Sequence, residues 1–466
     1  MYTYKRSRIG PSSIFFIVVF TLAAAGMGCL AYINKGRFWD ILPFVSIPVV
    51  AVSLILIIFN FIRRTRGNLF FALFFLLSLA GLILSNIFGP SVLINKAQQS
   101  YDNEDYTQSI DHYNTLLDNY PGSSLSGNAL ENISYTYYSN ADYAEAITSF
   151  KKAIDSEIIS DSDLEVKKIL EDSHLKLAQD YYSSENYDRA AESFINAVEV
   201  LKEIKDNFSN TNEALLAVYK IPEYLYNAAL SFNKIDDLEK SVEALEEIIN
   251  DYNESKYFDP AGSLLFDVYI DRSTKLVGSF NYTEGIEEFL KILDLEVEDR
   301  YYSDISDNIK REIFYNIPTD TIKSAASDKY SSGSYKKAAF LYEIILEYNP
   351  ELGEEIDPLL VDSKIKTISS SNHSAFTVSV PERKLWGQEE SELIIENNTE
   401  FDLILYLKGP EFVIIRAEKN STVETEIIAG IYEAASELDS QDVLPYYGIA
   451  TYEEGQRYRE EYTTSG

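Results

Sequence analysis

Three regimes of apolar and polar spacing divide the chain. First come three nearly unbroken apolar runs, Ile14 to Ile33, Ile41 to Ile62 and Leu69 to Phe88. Each has about the 20 residues a helix needs to cross a hydrocarbon layer of roughly 30 Å, so they predict three transmembrane helices and a membrane anchor over residues 1–92. From about Leu93 to Pro350 the spacing is helical and comes in paired segments, six pairs in succession. The second helix of each pair carries a small residue: Ser109, Ala146, Ala190, Ser241, Gly285 and Ala338. A small residue also stands twelve places earlier, on the first helix: Ala97, Ser134, Ala178, Ala229, Ser273 and Ala326. Small side chains on both partners let two helices approach closely. One turn beyond each second-helix position lies a large residue, Tyr113, Phe150, Phe194, Leu245, Phe289 or Tyr342, placed to fill space between units. Pro121 and Pro350 punctuate helix ends. Past Pro350 one more helix, Glu354 to about Ser371, precedes short alternating stretches separated by turns, which predict a small antiparallel β-sandwich or barrel over 374–466.

These fixed positions resemble the tetratricopeptide (TPR) family over roughly 260 residues. The clearest copy holds Tyr137, Asp142, Tyr143, Ala146, Phe150 and Ala153. The resemblance implies a mainly α fold: a TPR-type α-solenoid of about six repeats plus a capping helix over 93–371, between the three transmembrane helices and the β domain. Successive small positions on the second helices lie 37, 44, 51, 44 and 53 residues apart. That exceeds the family's period, so helices or connections are extended. The run Asn119-Tyr120-Pro121-Gly122-Ser123 is similar to a junction in bacterial periplasmic members. Segments around Asn397-Asn398-Thr399, Leu405 to Pro410, Gly430 to Ala435 and Leu444 to Gly448 are similar to a C-terminal β module of bacterial envelope proteins, which brings no known chemistry.

Charge sharpens this picture. Net charge is −34, yet residues 1–95 hold eight Lys or Arg and only Asp40, which leaves the remainder at −41. So acidic a surface repels phosphate backbones and argues against a nucleic-acid partner. Lys5, Arg6 and Arg8 before the first run, and Arg63, Arg64 and Arg66 between the second and third, place the N-terminus inside. The expectation is a multi-pass protein of the cytoplasmic (inner) membrane, with its C-terminal domains extracytoplasmic. The alternative, a cleaved signal ending at Cys29, lacks the usual Leu three places upstream. Cys29 is the only cysteine, so no intramolecular disulfide forms. Seven Asn-X-Ser/Thr sites, at Asn132, Asn207, Asn253, Asn281, Asn372, Asn397 and Asn420, are glycan acceptors if the source is eukaryotic.

Candidate chemistry is sparse. His112, His174 and His373 fall in different units and none has a partner at metal or triad spacing. No phosphate-cradling Gly loop or HExxH occurs. Asp161 with Asp163, and Asp236 with Asp237, read as helix-cap and turn residues. The expectation is a protein that is not an enzyme and takes no cofactor or metal. The TPR resemblance implies that the first helix of each repeat lines a concave face. On it stand Gln98 and Tyr101, then Glu131, Tyr135 and Tyr138, then Leu175, Gln179 and Tyr182, then Tyr226, Leu230 and Asn233. Few cations occur among them, so the Lys and Asn rows of members that grip a terminal carboxylate are missing. Tyr offers contact area and a hydroxyl at low entropic cost, suited to a peptide, a partner helix or a glycan. The bland alternative is that these tyrosines pack between units. Together these readings describe a membrane-anchored scaffold that binds protein partners through the groove and the β module. A glycan-binding or glycan-processing accessory is the alternative.

Overall fold

The computed structural model describes residues 50–51, 53–55, 57–58, 68–295, 307–378, 380–385, 389–440 and 443–463. Two compact units follow one another along the chain, the first ending at Ile235 and the second beginning at Asp236.

The first unit is helical. Its elements are α1 Asn68–Asp102, α2 Tyr106–Asn119, α3 Ser126–Ser139, α4 Tyr143–Asp155, α5 Leu164–Ser183, α6 Tyr187–Asn207 and α7 Asn212–Lys234. The small residues of both rows are buried here: Ala97, Ser109, Ser134, Ala146, Ala178 and Ala190 have no accessible surface. At the first crossing the Ser109 hydroxyl donates to the Ala97 carbonyl at 2.9 Å. Only a short side chain leaves room for that bond across two helices. The plugs Tyr113, Phe150 and Phe194 are buried as well.

Each pair of helices turns in the same way. Glu104, Ala141 and Glu185 have φ of 61°, 62° and 60°, a left-handed conformation that ends the first helix. The next residue reaches back across the turn, as in Asp105 N–H to the Ser100 carbonyl at 2.9 Å and Asp142 N–H to the Tyr137 carbonyl at 2.9 Å. That same residue precedes the second helix, and the Asp105 carboxylate accepts from the Gln108 N–H at 3.1 Å. Asp105 thus ends one helix through its N–H and begins the next through its carboxylate.

The second unit continues the pattern in α8 Leu238–Asp251, α9 Phe258–Gly278, α10 Tyr282–Leu290, α11 Asp307–Phe314, α12 Thr319–Ser331, α13 Tyr335–Tyr348 and α14 Gly353–Ser370. Left-handed residues recur at Asp236, Phe280 and Gly333. Gly285 shows why its position must be small, since an added Cβ would stand 2.7 Å from Val277 Cγ2. The Ser273 hydroxyl donates to the Gly285 carbonyl at 2.8 Å, repeating the Ser109 bond with the roles exchanged.

Two sheets follow. Strands β1 Ser374–Ala375, β2 Arg383–Lys384, β3 Glu390–Asn397, β4 Leu403–Lys408, β5 Phe412–Ala417, β6 Ser421–Ile428, β7 Gly430–Leu438, β8 Tyr446–Tyr452 and β9 Gln456–Tyr462 form one sheet of order β1-β8-β7-β4-β5 and another of order β2-β9-β3-β6. The sandwich is mixed and not wholly antiparallel as expected, because β3 pairs with β9, and β1 with β8, in parallel. Leu393, Leu405, Leu407, Tyr432 and Tyr452 fill the space between the sheets. The outer face of the larger sheet is also covered: Tyr406 and Ala435 pack with Val361, Ile365 and Ile368 of α14.

The membrane anchor requires correction. Among the described residues no helix is long and apolar enough to cross a membrane. This overturns the three-span architecture, and with it the multi-pass inner-membrane placement and the orientation derived from flanking charges. The first apolar run lies outside the described residues, as does the second except for positions between 50 and 58. The third does not stop at a polar boundary. It leads without interruption through Pro90 into the rest of α1, which brings Leu93 and Ala97 into the core of the first repeat. Apolar length alone does not show that a helix crosses a bilayer, and along this run Leu76, Ile83, Ile87 and Phe88 are at least half exposed.

Candidate partner-binding site

The eleven first-helix side chains singled out in the sequence occupy different environments. Tyr135 is half-buried, its ring edge-on to Phe150 with centroids 5.0 Å apart, and it packs on the core of the first repeats. Burial, with help from Asp163, Glu131 and Glu165, raises its pKa. Tyr101 places its hydroxyl 3.1 Å from Ser139 Oγ and its ring edge-on to Tyr106. Tyr182 does the same against Tyr187. Gln98 is exposed and donates to Asp102 at 2.9 Å. Glu131 and Tyr226 are partly buried, as are Leu175 and Leu230, whereas Gln179 and Asn233 are exposed.

Of these eleven, Tyr138 alone lines a groove of the first unit. The groove has a volume of about 350 Å³ and runs between α3, α5 and α7, the first helices of three successive repeats. The Tyr138 hydroxyl donates to Asp172 Oδ2 at 2.8 Å. Burial and that bond push its pKa up to about 12, so it remains a neutral donor. Beside it the buried Glu171 accepts from the Tyr224 hydroxyl at 2.6 Å and pairs with Lys220 at 3.1 Å. Lys168 pairs with Glu165 at 2.9 Å. Ile169, Leu201, Ile204, Leu216 and Ala217 supply the apolar part of the lining.

Sequence reasoning missed most of this set because it took residues only from the repeat frame. Glu165, Lys168 and Ile169, and likewise Glu213, Leu216 and Lys220, lie on the leading turns of α5 and α7, ahead of that frame. The signal that could have found them is the long spacing of 44 and 51 residues between second-helix positions, which requires extra helix somewhere.

The paired aspartates have structural partners. Asp163 caps α5 by accepting from the Glu165 N–H at 2.9 Å, and Asp237 caps α8. Asp161 pairs with Lys167 at 2.8 Å, and Asp236 pairs with Lys275. His174 is buried, and desolvation pushes its pKa down to about 4. Among the described residues no cluster of three His, Cys, Asp or Glu side chains is arranged to hold a metal.

Two profiles of the tetratricopeptide repeat family match, one over residues 94–161 and the other over 223–255. Similar solved structures include the TPR2AB domain of yeast Sti1 in complex with pHSP90, at 16% identity over 59% of this chain and 98% of that one, with a TM-score of 0.19. A tetratricopeptide repeat protein from Parabacteroides merdae is 15% identical over 59% of this chain and 98% of that one, TM-score 0.18. The apo form of RapI is 16% identical over 60% of this chain and 100% of that one, TM-score 0.21. No curated protein matches. Between residues 94 and 161, and again between 223 and 255, this chain is built of tetratricopeptide repeats.

Proposed function

We propose that the chain is a non-catalytic scaffold that holds a protein partner in the groove between α3, α5 and α7. Tetratricopeptide repeats are protein-interaction elements, and the observation that carries the assignment to this place is the groove itself. It joins an apolar floor to polar groups from three successive repeats, the arrangement a binding cleft requires. Tyr138 supplies a ring and a neutral hydroxyl at its edge. The capped and paired aspartates support a role without catalysis. The β region is a second contact surface in this reading.

Cross-linking of the full chain in the cells that make it, followed by mass spectrometry, tests the assignment. Cross-links to a partner are expected at α5 and α7. They should be lost in Tyr138→Ala while the melting temperature stays within a few degrees. Tyr135→Ala should instead lower the melting temperature, because its ring is seated on Phe150. Partner cross-links confined to other surfaces and unaffected by Tyr138→Ala would sink the proposal.

A further inference from the structure

α7 runs for 23 residues whereas α3 has 14, and the added turns lie ahead of the small residue Ala229. Their apolar positions serve two different sides. Ala214, Ala217 and Ile221 are buried at the i, i+3, i+7 spacing of a packed face. Leu215, Leu216 and Tyr219 fall on another side and remain 61%, 56% and 76% exposed. Leu216 belongs also to the groove lining, so the exposed patch and the groove floor are continuous. Patches of this kind on a soluble surface mark interaction sites.

The surrounding charge is unbalanced. Glu165, Glu171, Asp172 and Glu213 line the groove with only Lys168 and Lys220 against them. Both lysines are engaged by carboxylates, Lys168 by Glu165 and Lys220 by Glu171. Asp172 receives one bond from an uncharged phenol. Asp172 and Glu213 therefore leave net negative charge beside the apolar patch. Pro222, within α7, has no N–H to give the carbonyl of Val218, which leaves an acceptor on the same stretch without its helical donor.

We propose that this surface docks an amphipathic helix of a partner protein, its apolar stripe on Leu215, Leu216 and Tyr219 and its flanking Lys or Arg side chains at Asp172 and Glu213. The proposal rests on the groove being a protein-binding site and adds the chemistry of what it binds. An apolar stripe at i, i+3, i+4 and i+7 with flanking cations matches both halves of the surface. An acidic segment is repelled by the same carboxylates.

Three labelled synthetic peptides of about 18 residues, titrated against the full chain, test it. One carries Leu at i, i+3, i+4 and i+7 with Lys elsewhere, the second is its scrambled isomer, and the third has Glu in place of Lys. The patterned Leu–Lys peptide should bind about tenfold or more tighter than the scrambled one, and the Leu–Glu peptide should not bind. Leu216→Gln with Tyr219→Gln should weaken the patterned peptide about tenfold or more, and Tyr219→Gln alone, at the most exposed of the three positions, should act in the same direction. Glu213→Gln should flatten the dependence of affinity on salt. Equal binding of patterned and scrambled peptides would reduce the effect to general attraction by an acidic chain and overturn the proposal. So would affinity unchanged by both Gln variants. Native cross-links at the groove from a segment that is acidic or not helical would defeat this proposal alone. Native cross-links that avoid the groove, with the patterned peptide still bound, would defeat the broader reading instead.

Discussion

Six residues hold left-handed backbone at the same offset in six helical pairs, five places before the small residue of the second helix: Glu104, Ala141, Glu185, Asp236, Phe280 and Gly333. Only one is glycine, although a left-handed residue with a Cβ costs about 1–2 kcal/mol. Glycine itself loses more freedom on folding, by roughly 0.5–1 kcal/mol, so the net gain from replacing a side chain is smaller than the strain. Ala141→Gly and Glu185→Gly should each raise stability by about 0.5–1 kcal/mol, and Gly333→Ala should lower it by a similar amount. Thermal melting of the three variants checks the sign at each site. A search for Gly or Asn at helix ends would have missed five of these turns; at Ala141, for one, the packing of α3 on α4 enforces what the residue itself resists. His174 offers a second test. Its pKa is pushed below the ordinary 6.5 to about 4 by burial, so the stability it confers is complete above pH 6.5 and is lost as pH falls toward 4. The loss amounts to about 3 kcal/mol. Denaturant midpoints should drop more steeply over that window in the native chain than in His174→Phe, and parallel curves would refute the assignment.

At the scale of elements, the small rows and large plugs were legible from spacing because every crossing imposes the same steric demand. The groove was not, since it is made from helix that extends past the repeat. The β region was legible as strands and not as pairings. Leu403–Lys408 and Ser421–Ile428 follow directly from alternation, but the parallel match of Leu393 with Tyr458 joins residues far apart in the chain. Asn397 illustrates another limit. In the sequence it reads as a glycan acceptor, yet its side chain is fully buried. Its amide donates to the carbonyls of Phe401, Ala417 and Glu418 at 2.7, 3.0 and 3.0 Å, while its oxygen accepts from the Thr399 hydroxyl at 2.7 Å. The turn between β3 and β4 is organised around this one amide. Asn397→Ala should cost about 2–4 kcal/mol, since it strands several buried groups at once. Asn420→Ala, on an exposed turn, should cost far less. Comparable losses at the two sites, measured by chemical denaturation, would show that the amide network contributes little.

For the molecule as a whole, the apolar N-terminal runs misled because hydropathy cannot say what a helix will lie against. The decisive piece of the second unit is α14, which packs on α13 and also against β4, β5, β7 and β8. Lys364 on this helix reaches Glu343 of α13 and Glu437 of β7, each at 2.9 Å. Tyr406 adds a hydroxyl to Glu437 at 2.7 Å. The two carboxylates hold the Lys364 ammonium charged in spite of its burial, raising its pKa above the ordinary lysine value. Lys364→Met should cost about 1–3 kcal/mol, because it leaves two partly exposed carboxylates without their shared cation, and adding Glu437→Gln should restore part of that. Full additivity of the two losses would dismiss the coupling. A helix claimed by two neighbours of different architecture denies either of them an independent fate. Scanning calorimetry of the second unit should therefore record one endotherm for the last repeats and the sandwich together, and a lesion deep in the strands should loosen helices that it never touches.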